Sequence, residues 1–73
     1  MQTQIVMDAS GDTRHEFDAR DHAAVAKAEK RFLELAKAGF TVAKRTGAGT
    51  SELIRKFDPT AEETLFIPRI IGG

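Results

Sequence analysis

Residues 18–39 read DARDHAAVAKAEKRFLELAKAG, and this stretch decides the fold. It contains no proline, its one glycine stands at its end, and strong helix formers fill the positions between. Val25, Ala28, Phe32, Leu35 and Ala36 recur at threes and fours, so they share one helical face, while Lys27, Lys30, Glu34 and Lys37 lie largely off it. Asp18 or Asp21 supplies the N-cap. Gly39 stands where a chain leaves a helix with positive φ, and Lys37 lies against the negative end of the helix dipole. The spacing predicts one amphipathic helix over about residues 19–38.

The flanks of this helix change period. Upstream, TQIVMDA (3–9) alternates as a strand with Ile5 and Met7 on one face and Val6 on the other. Ser10-Gly11-Asp12 reads as a turn, and TRHEF (13–17) resumes with His15 and Phe17 opposite Arg14 and Glu16. Downstream, FTVAKR (40–45) and SELIRKF (51–57) read as a second hairpin joined through TGAGT. In the second of these, Leu53, Arg55 and Phe57 are expected opposite Ile54 and Lys56. Asp58-Pro59 starts a turn, and a final strand is expected over 64–68, where Pro68 withholds a donor. The expected architecture is α+β, ββαββ(β), with the helix on one face of a four- to five-stranded mixed sheet. The last strand either lies beside the first and parallel to it or sits at an edge of a meander.

With 73 residues the chain reads as one small domain, 1–73, with 69–73 a candidate C-terminal tail. There is no cysteine, so no disulfide assists a core this small, and two histidines without cysteine make no zinc site of the usual kind. Eleven basic groups balance eleven acidic ones, which disfavours a nucleic-acid binder held by phosphate neutralisation. The signs separate along the chain: residues 1–29 carry three basic and six acidic groups, and residues 30–73 carry eight and five. Such polarity suits a protein partner. No long apolar run or basic leader is read, so a cytoplasmic protein without a membrane partner is expected.

Few residues suggest chemistry. The loop Thr46–Ser51 has glycines that could form an anion nest, but no GKS or GKT follows, and a hairpin turn accounts for it. His15 and His22 could ligate a metal or shuttle a proton, but they have no nucleophile or further ligand at a recognisable spacing. Asp8/Asp12 and Glu62/Glu63 are neighbours in turns, not carboxylates held in contrasting environments. Lys27, Lys30, Arg31, Lys37, Lys44 and Arg45 could share a rim facing an acidic protein partner. No enzyme, cofactor or metal is expected from these patterns.

The C-terminal segment, LFIPRIIGG (65–73), stands apart. Gly72 and Gly73 lack Cβ atoms and can thread a narrow channel, bringing a carboxylate to an activating site. Ile70 and Ile71 read either as anchors on a partner or as the buried end of the last strand.

Here the sequence resembles the β-grasp carrier proteins, ubiquitin and the prokaryotic sulfur carriers of molybdopterin and thiamine synthesis. The opening of the chain is similar to that of ubiquitin in Met1-Gln2, the turn Ser10-Gly11-Asp12-Thr13, then Glu16-Phe17-Asp18 and an acidic approach to a helix bearing Val25. The close is similar in Thr64-Leu65 and Arg69, and to the molybdopterin sulfur carrier in Phe66, Pro68 and Gly72-Gly73. The two ends cover a little over half of the chain. The resemblance implies a non-catalytic protein whose Gly73 carboxylate is activated by a separate ATP-dependent adenylating enzyme. Pro68, Arg69, Ile70 and Ile71 would then dock on that partner, and the last strand would run parallel beside the first. The chain also resembles small bacterial and mobile-element proteins that combine a GDTR turn, an FDP turn and a terminal GG, which imply no function. The other reading of the residues is a small structural or protein-interaction module without covalent chemistry.

Overall fold

The computed structural model describes residues 1–68. The elements in chain order are β1 (Gln2–Asp8), β2 (Gly11–Phe17), α1 (His22–Lys37), β3 (Thr41–Gly47), β4 (Thr50–Leu53) and β5 (Glu63–Ile67). They form one α+β unit in which the helix covers one face of a five-stranded mixed sheet of order β2-β1-β5-β3-β4. The last strand lies in the middle, parallel to β1 and antiparallel to β3. It is therefore not the edge strand of a meander. Pro68 is compatible with this place because β5 ends at Ile67, so its missing donor is not required for pairing.

The helix begins later than expected, at His22. Asp21 caps it, its Oδ1 accepting from the amides of Ala23 (3.1 Å) and Ala24 (3.2 Å). Asp18 makes the preceding turn instead, accepting from the amide of Arg20 (2.9 Å) and from its guanidinium. At the other end Gly39 has φ +100°, and the amides of Gly39 and Phe40 return to the carbonyls of Ala36 and Leu35. This paired return satisfies two helix-end acceptors and brings Phe40 back toward Leu35.

Strand register sorts the side chains. Val6 pairs with Phe66 and Phe66 with Val42, placing all three under the helix. Phe32 and Ala28 descend from α1 onto them, while Ala36, expected in the same stripe, is exposed. The Phe32 ring meets Phe66 and Phe57 edge-on at 6.0 and 5.8 Å, and Phe57 also lies against Phe17. Gln4 is the polar member of this face and is fully buried. Its Nε2 donates to the Ala28 carbonyl (3.0 Å), and its Oε1 accepts from Arg31 (2.8 Å), so sheet and helix are tied by a satisfied amide.

One expected element is different. β4 stops at Leu53, and residues 54–62 cross the end of the sheet without helix or strand. Ile54 and Phe57 both turn inward onto the core, while Leu53 is 71% exposed, so the alternation expected over 51–57 does not occur.

Candidate functional site

Pro68 is half-buried at the end of β5. Arg69, Ile70, Ile71, Gly72 and Gly73 lie outside the described residues. The described structure places three other regions that bear on function.

The first is the sheet face opposite the helix. Ile5 pairs with Leu65, Leu65 with Ala43, and Ala43 with Leu53, so these share that face with Met7 and Ile67. Ile5 and Ala43 are buried by their neighbours, whereas Leu53 and Ile67 (37%) remain exposed.

The second is the turn after Phe57. Asp58 Oδ1 accepts from the amide (2.9 Å) and hydroxyl (2.6 Å) of Thr60, and its Oδ2 accepts from Lys44 Nζ (2.9 Å). The Thr60 hydroxyl and then the Lys44 ammonium hold the Asp58 carboxyl down to about 2, and Asp58 in turn raises Lys44. In the unfolded chain the carboxyl titrates near its ordinary 3.8. A depressed folded-state value means that this stabilisation is present above pH 3.8 and is lost as pH falls through about 2. With the side chain 28% exposed and partly screened, its contribution is about 1–2 kcal/mol. Comparing urea midpoints of the parent and Asp58→Asn at pH 7 and pH 2 should show a gap at pH 7 that is mostly closed at pH 2. An equal gap at both would mean that the carboxylate charge contributes nothing.

The third is a cleft of about 320 Å³ between β2 and α1, bordered by His15, Phe17, Ala24, Lys27 and Arg31 and by the strand at Arg14 and Glu16. Burial holds the His15 imidazole below its ordinary value, and the charge of Arg31 adds to this.

The basic set does not share one rim. Lys44 is engaged by Asp58 and Arg45 by Glu63 (3.4 Å), both on β3, leaving Lys27, Lys30 and Arg31 on the helix and Lys37 at its C-terminal end. Of the carboxylate neighbours, Asp8 accepts from the Ser10 hydroxyl (2.7 Å) and amide (2.6 Å), which lower its pKa, and Glu63 pairs with Arg45, while the Glu62 backbone carbonyl accepts from the Thr3 amide (2.8 Å). His22 is exposed at the start of α1, and no group of three or more His, Asp or Glu residues able to hold a metal occurs among the described residues. The 46–51 loop is a hairpin turn through Ala48-Gly49, with Gly49 at φ +76° and an irregularity between Arg45 and Gly47. No helix among the described residues is long and apolar enough to cross a membrane.

Sequence reasoning missed the Gln4–Arg31 tie and the Lys44–Asp58 pair. A signal existed only for the turn that holds Asp58: Asp8-Ala9-Ser10 and Asp58-Pro59-Thr60 share the Asp-x-Ser/Thr spacing of a side-chain-capped turn, which does not point to Lys44. The chain matches no known protein family, no curated protein and no solved structure.

Proposed function

We propose that the protein is a non-catalytic carrier of the β-grasp type, whose Gly73 carboxylate is activated by a separate ATP-dependent adenylating enzyme. The observation that supports this reading is the place of β5. It is paired on both sides, to β1 and β3, and it runs directly into Pro68 and the segment Arg69-Ile70-Ile71-Gly72-Gly73. A central parallel pairing of the first and last strands is what the carrier resemblance requires. In the reaction the carboxylate attacks the α-phosphorus of ATP, pyrophosphate leaves, and a sulfur or amine nucleophile then displaces AMP from the acyl adenylate. Gly72 supplies clearance, and Pro68, Arg69, Ile70 and Ile71 supply docking surface.

The test uses protein ending at Gly73, incubated with ATP and each adenylating enzyme encoded beside it, and mass spectrometry of the C-terminal peptide. An adenylate on Gly73 is expected, converted to a thiocarboxylate with release of AMP when a sulfide donor is added, and deletion of Gly72 and Gly73 should abolish both without changing the melting temperature. An unchanged mass with every such enzyme overturns the reading. The exposed Leu53 and Ile67 on the sheet face opposite the helix favour a second reading, a protein-interaction module. In that case partner binding survives deletion of the two glycines and is lost on Leu53→Ser/Ile67→Ser.

A further inference from the structure

The cleft between β2 and α1 gathers Arg14, His15, Lys27 and Arg31, and none of the four makes a salt bridge among the described residues. Lys44 and Arg45 differ in this, since carboxylates already engage them. Arg31 is the member held in place. It donates from its guanidinium to Gln4 Oε1 (2.8 Å), and the fully buried Gln4 is itself fastened to the Ala28 carbonyl (3.0 Å). A neutral acceptor thus orients the guanidinium without cancelling its charge. The fork that results is suited to the paired oxygens of a phosphoryl group.

His15 pairs across the strands with Gln4, so its ring stands on the helix side, beside the residue that holds Arg31. Burial and then the Arg31 charge keep the imidazole below its ordinary value. The charged groups around it are Lys27, Lys30, Arg31 and Glu34 from α1 and Arg14 and Glu16 from β2, while β1 contributes the neutral Gln4. Phe17 and Ala24 complete the lining with apolar surface. The volume, about 320 Å³, stands at the small end of the roughly 300–1,000 Å³ that ligand sites span.

We propose that this cleft binds a small phosphate monoester, with Arg31 and Lys27 holding the phosphoryl oxygens, the His15 imidazole donating to them, and Phe17 and Ala24 against the organic part. Arg31 supplies direction and Lys27 charge. An anion beside His15 favours the imidazolium, so the bound ligand raises the histidine's titration and protonation of His15 tightens binding in return. The site uses none of residues 69–73, so it stands or falls separately from the carrier reading.

The probe is phenyl phosphate, followed by NMR at an ionic strength held constant with chloride. Phenyl sulfate, inorganic phosphate and oligothymidylate accompany it. Phenyl phosphate should shift the amide resonances of residues 14–17 and 24–31 and move the His15 ring titration to higher pH. Lys27 is exposed, so Lys27→Gln should leave the circular dichroism spectrum unchanged while weakening binding by about tenfold, the loss of one charge-assisted hydrogen bond. Phenyl sulfate keeps one charge between pH 8 and pH 5.5, so any tightening over that range reports the protein. Such tightening is expected in the parent and should disappear in His15→Gln. A His15 titration that ligand does not move, indifference to Lys27→Gln, or pH-independent binding of phenyl sulfate by the parent would overturn the proposal. Inorganic phosphate binding as tightly as phenyl phosphate would overturn the choice of a monoester, and oligothymidylate binding as tightly per phosphate at the same amides would overturn the choice of a small ligand.

Discussion

Replacing Phe32 with alanine is expected to cost about 3–5 kcal/mol, the range for a large aromatic truncated in a tight core. Phe32 is 1% exposed and meets Phe66 and Phe57 edge-on, with Val42 in the same cluster. Collapse of the helix into the vacated space is opposed on the sheet side by Gln4, whose amide holds the Ala28 carbonyl one turn away. A domain of this length has about 5 kcal/mol of stability in total, so the variant should keep no more than about 2 kcal/mol and be marginally folded at 25 °C. The control is Leu33→Ala, one residue along the helix but 59% exposed, which should move the urea midpoint by no more than about 0.5 kcal/mol equivalent. Equal midpoints for Phe32→Ala and the parent would refute the packing of α1 on the sheet.

Residues whose environment is set locally were legible in the sequence. The helix could be read because its caps, propensity and apolar spacing agree, and Asp21, Gly39 and Phe32 occupy the places those rules assign. The β1–β2 hairpin could be read for the same reason, with Gly11 at φ +129° and Asp8 capping the turn. The position of β5 was not decided locally. Alternation in TLFIP shows a strand, but whether it enters the centre or joins an edge depends on pairing with Thr3–Val6, some sixty residues away. The resemblance to β-grasp carriers pointed to the central parallel position, where the residue periodicity alone left both arrangements open.

The functional surfaces were less legible. Lys44 and Arg45 look alike in sequence to Lys27 and Lys30, and only the folded chain brings Asp58 and Glu63 to the first pair. The cleft at β2 depends on which strand is outermost, and periodicity does not carry that information. Its lining comes from two elements, His15 on β2 and Lys27 and Arg31 on α1, that are separate runs in the sequence.

Phe57→Ala is expected to lower stability by about 3 kcal/mol, the lower part of the range for phenylalanine because the ring is only partly buried. The mechanism differs from that of Phe32. Alternation over SELIRKF would give Leu53 and Phe57 one face, but Ile54 and Phe57, three apart, both turn inward while Arg55 and Lys56 stay in solvent. Three apart breaks the alternation of a strand, and between β4 and β5 neither helix nor strand pairing assists the two anchors. Phe57 is the stronger anchor, its ring lying 6.2 Å from Phe17 and 5.8 Å from Phe32. Without it, residues 54–62 retain the Ile54 side chain and its amide on the Val42 carbonyl, the Asp58 contact with Lys44, and the Glu62 carbonyl on the Thr3 amide. Hydrogen exchange should therefore show the amides of Ile54, Thr60 and Ala61 opening well before those of α1 and β5, a local opening within a still folded sheet. Phe32→Ala should instead expose all of these amides together. If Phe57→Ala also accelerated exchange uniformly across α1 and β5, residues 54–62 would be an integral part of the cooperative core rather than a strap fastened over its end.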